Sequence, residues 1–416
     1  DSPFVKWISL DAPVGPTQDA SDPGGSAVYD QLRATLGLDA SSLTGSSVGV
    51  AVIDSGIANS PEFSGRISAF YDFTKGGGAA EPYDDFGHGT HVAGLIGGNG
   101  SLSAGEFQGV APGVHFIRLK VLDSKGAGYS SDIISALEFA VANKDALDID
   151  VINMSLGHPI FESAETDPLV QAVEGAVANG IVVIVSAGNI GTNPQTGLVG
   201  YGGITSPANA ASAITVGAAD THWTALRGDD TVPPYSSRGP TWYDGRAKPD
   251  LIAPGHRLVA ATTPEAMLYQ QHPSLRVMSS TGGEYLRLCG TSMAAGVASG
   301  VAALVIEAHQ QAQPSGPQLT PNVVKAILEF TAIPLDGLDM LTQGVGEINA
   351  AGAMTLASAL VPGSNGGFYL PASANIDPVS VIEGNVVAWG QDIVWGESLV
   401  SGEDIVWGES DSDLEN

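Results

Sequence analysis

Five short apolar runs, Val48–Ile53, Val114–Leu122, Ile149–Met154, Ile181–Val185 and Ala213–Val216, alternate with stretches of helical spacing. The helical patterns fall at His88–Ile96, Ser131–Asn143, Pro168–Asn179, Thr291–Gln311 and Pro321–Phe330. A strand with water on one face alternates apolar and polar residues, whereas a strand covered on both faces reads as an unbroken apolar run. Parallel neighbours also need a crossover, usually a helix. The alternation therefore predicts an α/β chain with a mostly parallel sheet between helices. In such sheets the working residues gather beyond the carboxyl ends of the strands. Asp54 directly follows one run, and Ser155 and Asn189 follow two others.

The last long helical pattern opens with Gly290-Thr291-Ser292-Met293-Ala294-Ala295-Gly296, followed by an apolar run of small residues, Val297 to Ile306. A serine there sits at the amino end of a buried helix, where backbone N–H groups can meet a developing negative charge. Acyl transfer by serine needs a base, a carboxylate that orients the base, and oxyanion donors. His88, in Gly87-His88-Gly89-Thr90-His91, supplies a base, and Asp54, in Val52-Ile53-Asp54-Ser55-Gly56, supplies its partner. Asn189, in Ser186-Ala187-Gly188-Asn189, and the Ser292 N–H supply donors. His88 and His91 lie three apart; a zinc-protease helix needs His-Glu-x-x-His, so His91 reads as structural.

In the order Asp, His, Ser, each flanked by glycine, these blocks resemble the signatures of the subtilisin-like serine proteases, the subtilases. Further segments resemble the family in family order: Gly109-Val110-Ala111-Pro112, Lys120-Val121-Leu122, Ile152-Asn153-Met154-Ser155-Leu156-Gly157 and Gly344-Val345-Gly346-Glu347-Ile348-Asn349. Ser237-Arg238-Gly239-Pro240-Thr241 and Lys248-Pro249-Asp250-Leu251-Ile252-Ala253-Pro254-Gly255 point to a bacterial branch. The resemblance implies the subtilisin-like three-layer fold and endopeptidase activity through an acyl-enzyme. It makes Ser292 the nucleophile, His88 the base, Asp54 the orienting acid and Asn189 the oxyanion donor. It also implies two backbone edges that grip an extended polypeptide substrate, Gly126-Ala127-Gly128 and Ser155-Leu156-Gly157. It implies secretion to the extracellular space, synthesis as a zymogen with the chain's own pro-domain as an early partner, and no cofactor for catalysis.

Three places depart from the family. Cys289 stands before the Gly-Thr-Ser block, where a polar residue is common, and Ala295-Gly296 replace a proline. The loop Gly97 to Gln108 does not reproduce the calcium loop of the best-known members. A structural calcium is not supported by the sequence: Asp84-Asp85 and Asp229-Asp230 are candidates for one, and read more plainly as solvated carboxylates.

The net charge of −29 disfavours nucleic acid and anionic membranes as partners, because both bind through cationic residues. No Lys or Arg follows Lys325, although fourteen Asp and Glu do. The single cysteine excludes an internal disulfide. The first residues lack the basic start and apolar run of a signal peptide, and the run from Val297 to Ile306 is too short to span a bilayer. The expected organisation is an N-terminal extension over 1–45, a catalytic domain over 46–358 and an acidic C-terminal extension over 359–416, in a monomer. The first extension is polar and turn-rich with a short helix near Val28 to Leu36; residues 1–20 read either as mature sequence or as the end of a pro-region. In the last, Asp392-Ile393-Val394-Trp395-Gly396-Glu397-Ser398 recurs at Asp404 to Ser410, with a weaker copy at Val387-Ala388-Trp389-Gly390, and favours strand.

Three other functions compete. An α/β-hydrolase esterase needs the order Ser, acid, His; His309 is the only histidine after Ser292, and no Asp lies between. A binding protein on a protease fold would have lost a triad member or Asn189. A chain in which the Trp repeat is the working module, with the protease body only processing itself, is compatible with the sequence.

Overall fold

The computed structural model describes residues 8–17, 31–39, 41–363 and 366–391. Its centre is an eight-stranded sheet. In spatial order the strands are β12 (Leu251–Pro254), β11 (Ile214–Ala219), β9 (Val182–Ser186), β7 (Val151–Met154), β2 (Gly49–Asp54), β5 (His115–Lys120), β3 (Ile67–Asp72) and β4 (Gly78–Ala79). All pairs are parallel except β3 with β4. The chain leaves β2 toward β5 on one side and later returns to β7 on the other. The order thus reverses about β2, the kind of place where such sheets carry their sites, and Asp54 lies at its carboxyl end.

The apolar runs are continuous because both faces are covered. Val50 and Val52 join a core with helices His88–Gly97, Thr291–Ala312, Pro321–Thr331 and Ala350–Ala359. Ala51 and Ile53 face helices Ser130–Ala142 and Pro168–Ala178. The three-layer α/β fold is as the alternation predicts.

Helix Thr291–Ala312 runs through the larger core and is buried from Thr291 to His309. It is longer than its apolar run suggested, and by length and composition it could cross a bilayer; inside the fold it is a core helix. Val297, Val301, Leu304 and Val305 are fully buried, worth about 1.5–3 kcal/mol each. Small residues let neighbours come close: a Cβ on Gly300 would stand 2.6 Å from the Val110 Cβ.

The segments flanking the body pack onto it. Leu32, in a helix over Leu32–Thr35, and Leu36 and Leu38 just after it are buried in the larger core. Near the other end, a hairpin pairs Val379–Ile382 with Asn385–Ala388. Trp389 follows it, 4% exposed, with its indole N–H on Ser380 Oγ at 2.9 Å and its ring edge-on to Phe330. The weaker repeat copy thus contributes a strand, while both stronger copies lie outside the described residues. A second sheet, β10 (Thr205–Ser206), β8 (Leu156–Pro159), β1 (Pro13–Pro16) and β6 (Gly128–Tyr129), takes its third strand from the N-terminal segment.

Candidate active site

Asp54 ends β2, and His88 begins helix His88–Gly97. The His88 ring Nδ1 lies 2.8 and 2.9 Å from the two Asp54 carboxylate oxygens, and both side chains are fully buried. Asp54 Oδ1 also accepts the Ser55 N–H at 2.7 Å. The other ring nitrogen, His88 Nε2, has no hydrogen-bond partner among the described residues.

The loop that delivers His88 is braced from below by Asp84. Its buried carboxylate accepts the Ser55 hydroxyl (2.9 Å), the Gly87 N–H (2.7 Å), the Thr90 N–H (2.9 Å) and the Thr90 hydroxyl (2.6 Å). Ser55 Oγ in turn accepts the Gly89 N–H at 3.0 Å. Burial pushes the Asp84 carboxyl up, against the pull of these donors. Asp85 pairs with the buried Lys120 at 2.8 Å, whose ammonium also donates to the Ser55 and Leu122 carbonyls, both at 2.7 Å. Asp84 and Asp85, one of the two acidic pairs offered by sequence for a cation, are thus engaged by protein donors around the ends of β2 and β5. Asp229 accepts from Thr224 Oγ1, and Asp230 lies 3.7 Å from Arg227.

Ser292 occupies the first turn of its helix, after Gly290, whose φ of 145° favours glycine. Thr291 donates through both its N–H and hydroxyl to Asn189 Oδ1, each at 3.0 Å. These bonds fix the amide's orientation and leave Asn189 Nδ2 without a partner among the described residues. Asn153 Nδ2 donates to Ser155 Oγ at 3.0 Å, and that hydroxyl donates to the Ser292 carbonyl at 2.9 Å. Cys289 is buried, and its sulfur accepts the Arg257 N–H at 3.3 Å.

His91 is buried one turn after His88, with Nε2 3.2 and 3.0 Å from the carbonyls of Leu258 and Leu286. Burial and the neighbouring His88 push its pKa down to about 3. It is a neutral, structural histidine.

The proposed substrate edges are β6 and β8. Between them lies β1, antiparallel to both. Pro13 faces Tyr129 and Val14 faces Gly128; Gly15 faces Gly157 and Pro16 faces Leu156. Thr17 continues the strand, donating its N–H to the Ser155 carbonyl (3.3 Å) and accepting the Ser292 N–H on its own carbonyl (3.1 Å). Its hydroxyl lies 2.7 Å from Ser292 Oγ and donates to Ser186 Oγ at 2.5 Å. Ser292 Oγ also donates to the Ser155 carbonyl at 3.0 Å. Gly126, at φ +75°, must lack a side chain because a Cβ would meet the Phe86 ring at 2.6 Å. Ala127 closes the turn before β6 through its carbonyl, which accepts the Asp123 N–H at 2.8 Å. Contacts join Asp54 to His88, Asn189 to Thr291 beside Ser292, and Ser155 to Ser292, while Gly128, Leu156 and Gly157 pair with β1. Asp84, Ser55, Thr291 and Ser186 support them, and Thr17 was not foreseen there.

Comparison with known proteins gives the same answer over most of the chain. The subtilase family profile matches residues 45–366. Serine protease AprX of Bacillus subtilis (strain 168) is 41% identical over 313 residues, covering 74% of this chain and 66% of AprX, so the chain spans about two thirds of that relative. Subtilisin E of the same organism is 36% identical over 324 residues, 77% of this chain and 69% of that protein. Among solved structures, a cold adapted subtilisin-like serine proteinase superposes with a TM-score of 0.51 at 30% identity, covering 74% of this chain and 89% of that one. The chain belongs to the subtilase family.

Proposed function

We propose that this protein is a secreted serine endopeptidase that cuts extended polypeptides through an acyl-enzyme. The observation that carries the reading is the buried Asp54–His88 pair at the carboxyl end of β2, whose Nε2 has no partner among the described residues, together with Ser292 in the first turn of a 22-residue helix. His88 Nε2 takes the Ser292 proton as Oγ attacks the substrate carbonyl, and Asp54 holds the Nδ1–H tautomer and balances the imidazolium. The Ser292 N–H and the unpartnered Asn189 Nδ2 receive the oxyanion. The imidazolium then protonates the leaving amine, and water returns the acyl group as a carboxylate. Main-chain donors and acceptors on β6 and β8 suit an extended peptide, giving affinity independent of its side chains. Each catalytic role in this scheme falls to a side chain or a backbone N–H, and the substrates are polypeptides.

The test is chemical. A phosphonyl fluoride should label Ser292, and Ser292→Ala should stop peptide hydrolysis while the far-UV spectrum and melting temperature stay close to wild type. A chelator should leave the initial rate unchanged. Wild-type hydrolysis by the folded alanine variant would sink the proposal, and immediate, metal-reversible loss under chelation would replace it with a metal mechanism.

A further inference from the structure

Arg118, on β5, is 1% exposed. Its hydrogen bond among the described residues runs from Nη1 to the Ile57 carbonyl, and its Nε–H has no partner among them. The guanidinium carbon lies over the Phe70 ring, 5.6 Å from its centre. Lys120, Lys248, Lys325 and Arg227 are also buried, and each meets a carboxylate. Lys120 reaches Asp85 at 2.8 Å, Lys248 and Lys325 reach Asp250 at 2.7 and 3.1 Å, and Arg227 reaches Glu347 at 2.5 Å. A charge taken out of water is costly unless it is paired. A chain with 45 Asp and Glu against 16 Lys and Arg has no shortage of partners. Burial alone acts on Arg118 and pushes its pKa down to about 10, so it stays a cation at neutral pH.

Arg118 lines an open groove of about 750 Å³, a size that suits small ligands. Pro61, Phe63, Phe70 and Pro82 give the groove apolar walls, and the exposed Ser68 and Glu81 complete its polar lining with Arg118. None of the residues assigned above to catalysis or to the substrate edges lines it. We propose that this groove binds the carboxylate end of a peptide whose last side chain is apolar. The proposal concerns binding alone and stands apart from the serine endopeptidase reading.

The chemistry of the lining selects this ligand class. A guanidinium carries five N–H donors and no acceptor, so what it lacks here is an acceptor with a negative charge. A carboxylate supplies both, in the geometry that a guanidinium favours. In a C-terminal residue the carboxylate and the side chain leave the same carbon. The two can therefore reach Arg118 and the adjoining Phe70 together, whereas the carboxylate of an internal Asp or Glu brings no apolar group with it. Glu81 sets a negative charge of its own in the groove, which favours a ligand with a single carboxylate over one with two.

The experiment uses the full chain as Ser292→Ala. The probe is N-acetyl-phenylalanine, its control is the neutral N-acetyl-phenylalaninamide, and binding is read by calorimetry at neutral pH. The acid should saturate a single site, and the amide should bind at least about tenfold more weakly, the loss expected of one charge-assisted contact. Adding Arg118→Met should weaken the acid by a similar factor and leave the amide unchanged. That change also frees the Ile57 carbonyl, so a second variant leaves the core alone. Ser68→Glu, at an exposed position on β3, sets a carboxylate of the chain itself in the groove and should weaken the acid several-fold at an unchanged melting temperature. Wild-type protein carrying the phosphonyl label on Ser292 should bind the acid as the alanine form does. Equal affinity for acid and amide, an acid affinity that neither variant moves, binding abolished by the label, or no saturation in the millimolar range overturns the inference. None of these results bears on peptide hydrolysis, which a chromogenic peptide reports separately on the wild type.

Discussion

His91 gives a prediction whose size can be worked from the structure. Its ring is buried against two strand carbonyls, one turn from His88, and its pKa falls to about 3 in the folded chain from an ordinary 6.5. The unfolded chain therefore binds a proton at this site as the pH drops below about 6.5, while the folded chain does so only near 3. A histidine depressed by folding contributes stability that is present at neutral pH and lost as the pH falls. A pH of 4 lies about 2.5 units below the ordinary pKa that the unfolded side chain keeps, which at roughly 1.4 kcal/mol per unit is about 3 kcal/mol. The assay is urea unfolding at pH 7 and pH 4 in the Ser292→Ala background, which removes self-digestion, with and without His91→Gln. Glutamine keeps an N–H donor for the Leu258 and Leu286 carbonyls but cannot take up a proton. The His91 protein should lose about 3 kcal/mol more between the two pH values than the His91→Gln protein, whatever their difference at pH 7. Equal losses, or an imidazole resonance for His91 that titrates near 6.5, would refute the reasoning.

Other perturbations separate the parts of the site. Asn189→Ala should lower kcat about 10²–10³-fold with little change in KM, the range known for loss of such a donor in a subtilisin; an unchanged kcat counts against Asn189 as a donor. Asp54→Asn should cost about 10⁴ in kcat/KM, because the neutral amide neither fixes the Nδ1–H tautomer nor balances the imidazolium, and a loss under tenfold would contradict the pairing. Asp84→Ala leaves the donors of Ser55, Gly87 and Thr90 without an acceptor. It should destabilise the fold by about 3 kcal/mol or more in urea unfolding, and a change under 1 kcal/mol would show that the brace is unimportant. Gly126→Val places a branched side chain where the Phe86 ring already lies, at φ +75°. It should raise KM for extended peptides more than it lowers kcat, and unaltered peptide kinetics would argue against this edge.

The parallel sheet, its two helical layers and the positions of Asp54, Ser155 and Asn189 were legible because they follow from local pattern. Runs buried on both faces, each ending in a polar residue, mark strand carboxyl ends without knowledge of neighbours. Ser292 was legible in the same way, from glycine before it and small apolar residues after it. The brace at Asp84 was not legible. Side by side with Asp85 it reads as a solvated acidic loop, and only folding buries it among the hydroxyls and N–H groups of Ser55, Gly87 and Thr90. Helix Ala350–Ala359 escaped notice because its Ala-rich, uniformly apolar composition carries little period. The strand at Pro13–Pro16 escaped for a stronger reason. Two prolines and a glycine in four residues argue against strand, and the partners that make it one, Gly128 and Gly157, lie more than a hundred residues away.

The sequence by itself determined which chemistry the chain carries, since the order Asp54, His88, Ser292 and the residue types around them are local facts. The tertiary structure alone decided what stands before that chemistry. Pairing across β6 and β8 is a main-chain interaction, indifferent to side-chain pattern, so no composition of residues 11–17 announces it. Bringing that strand against two edges and one N–H is what turns an unremarked, turn-rich beginning into a peptide laid against Ser292.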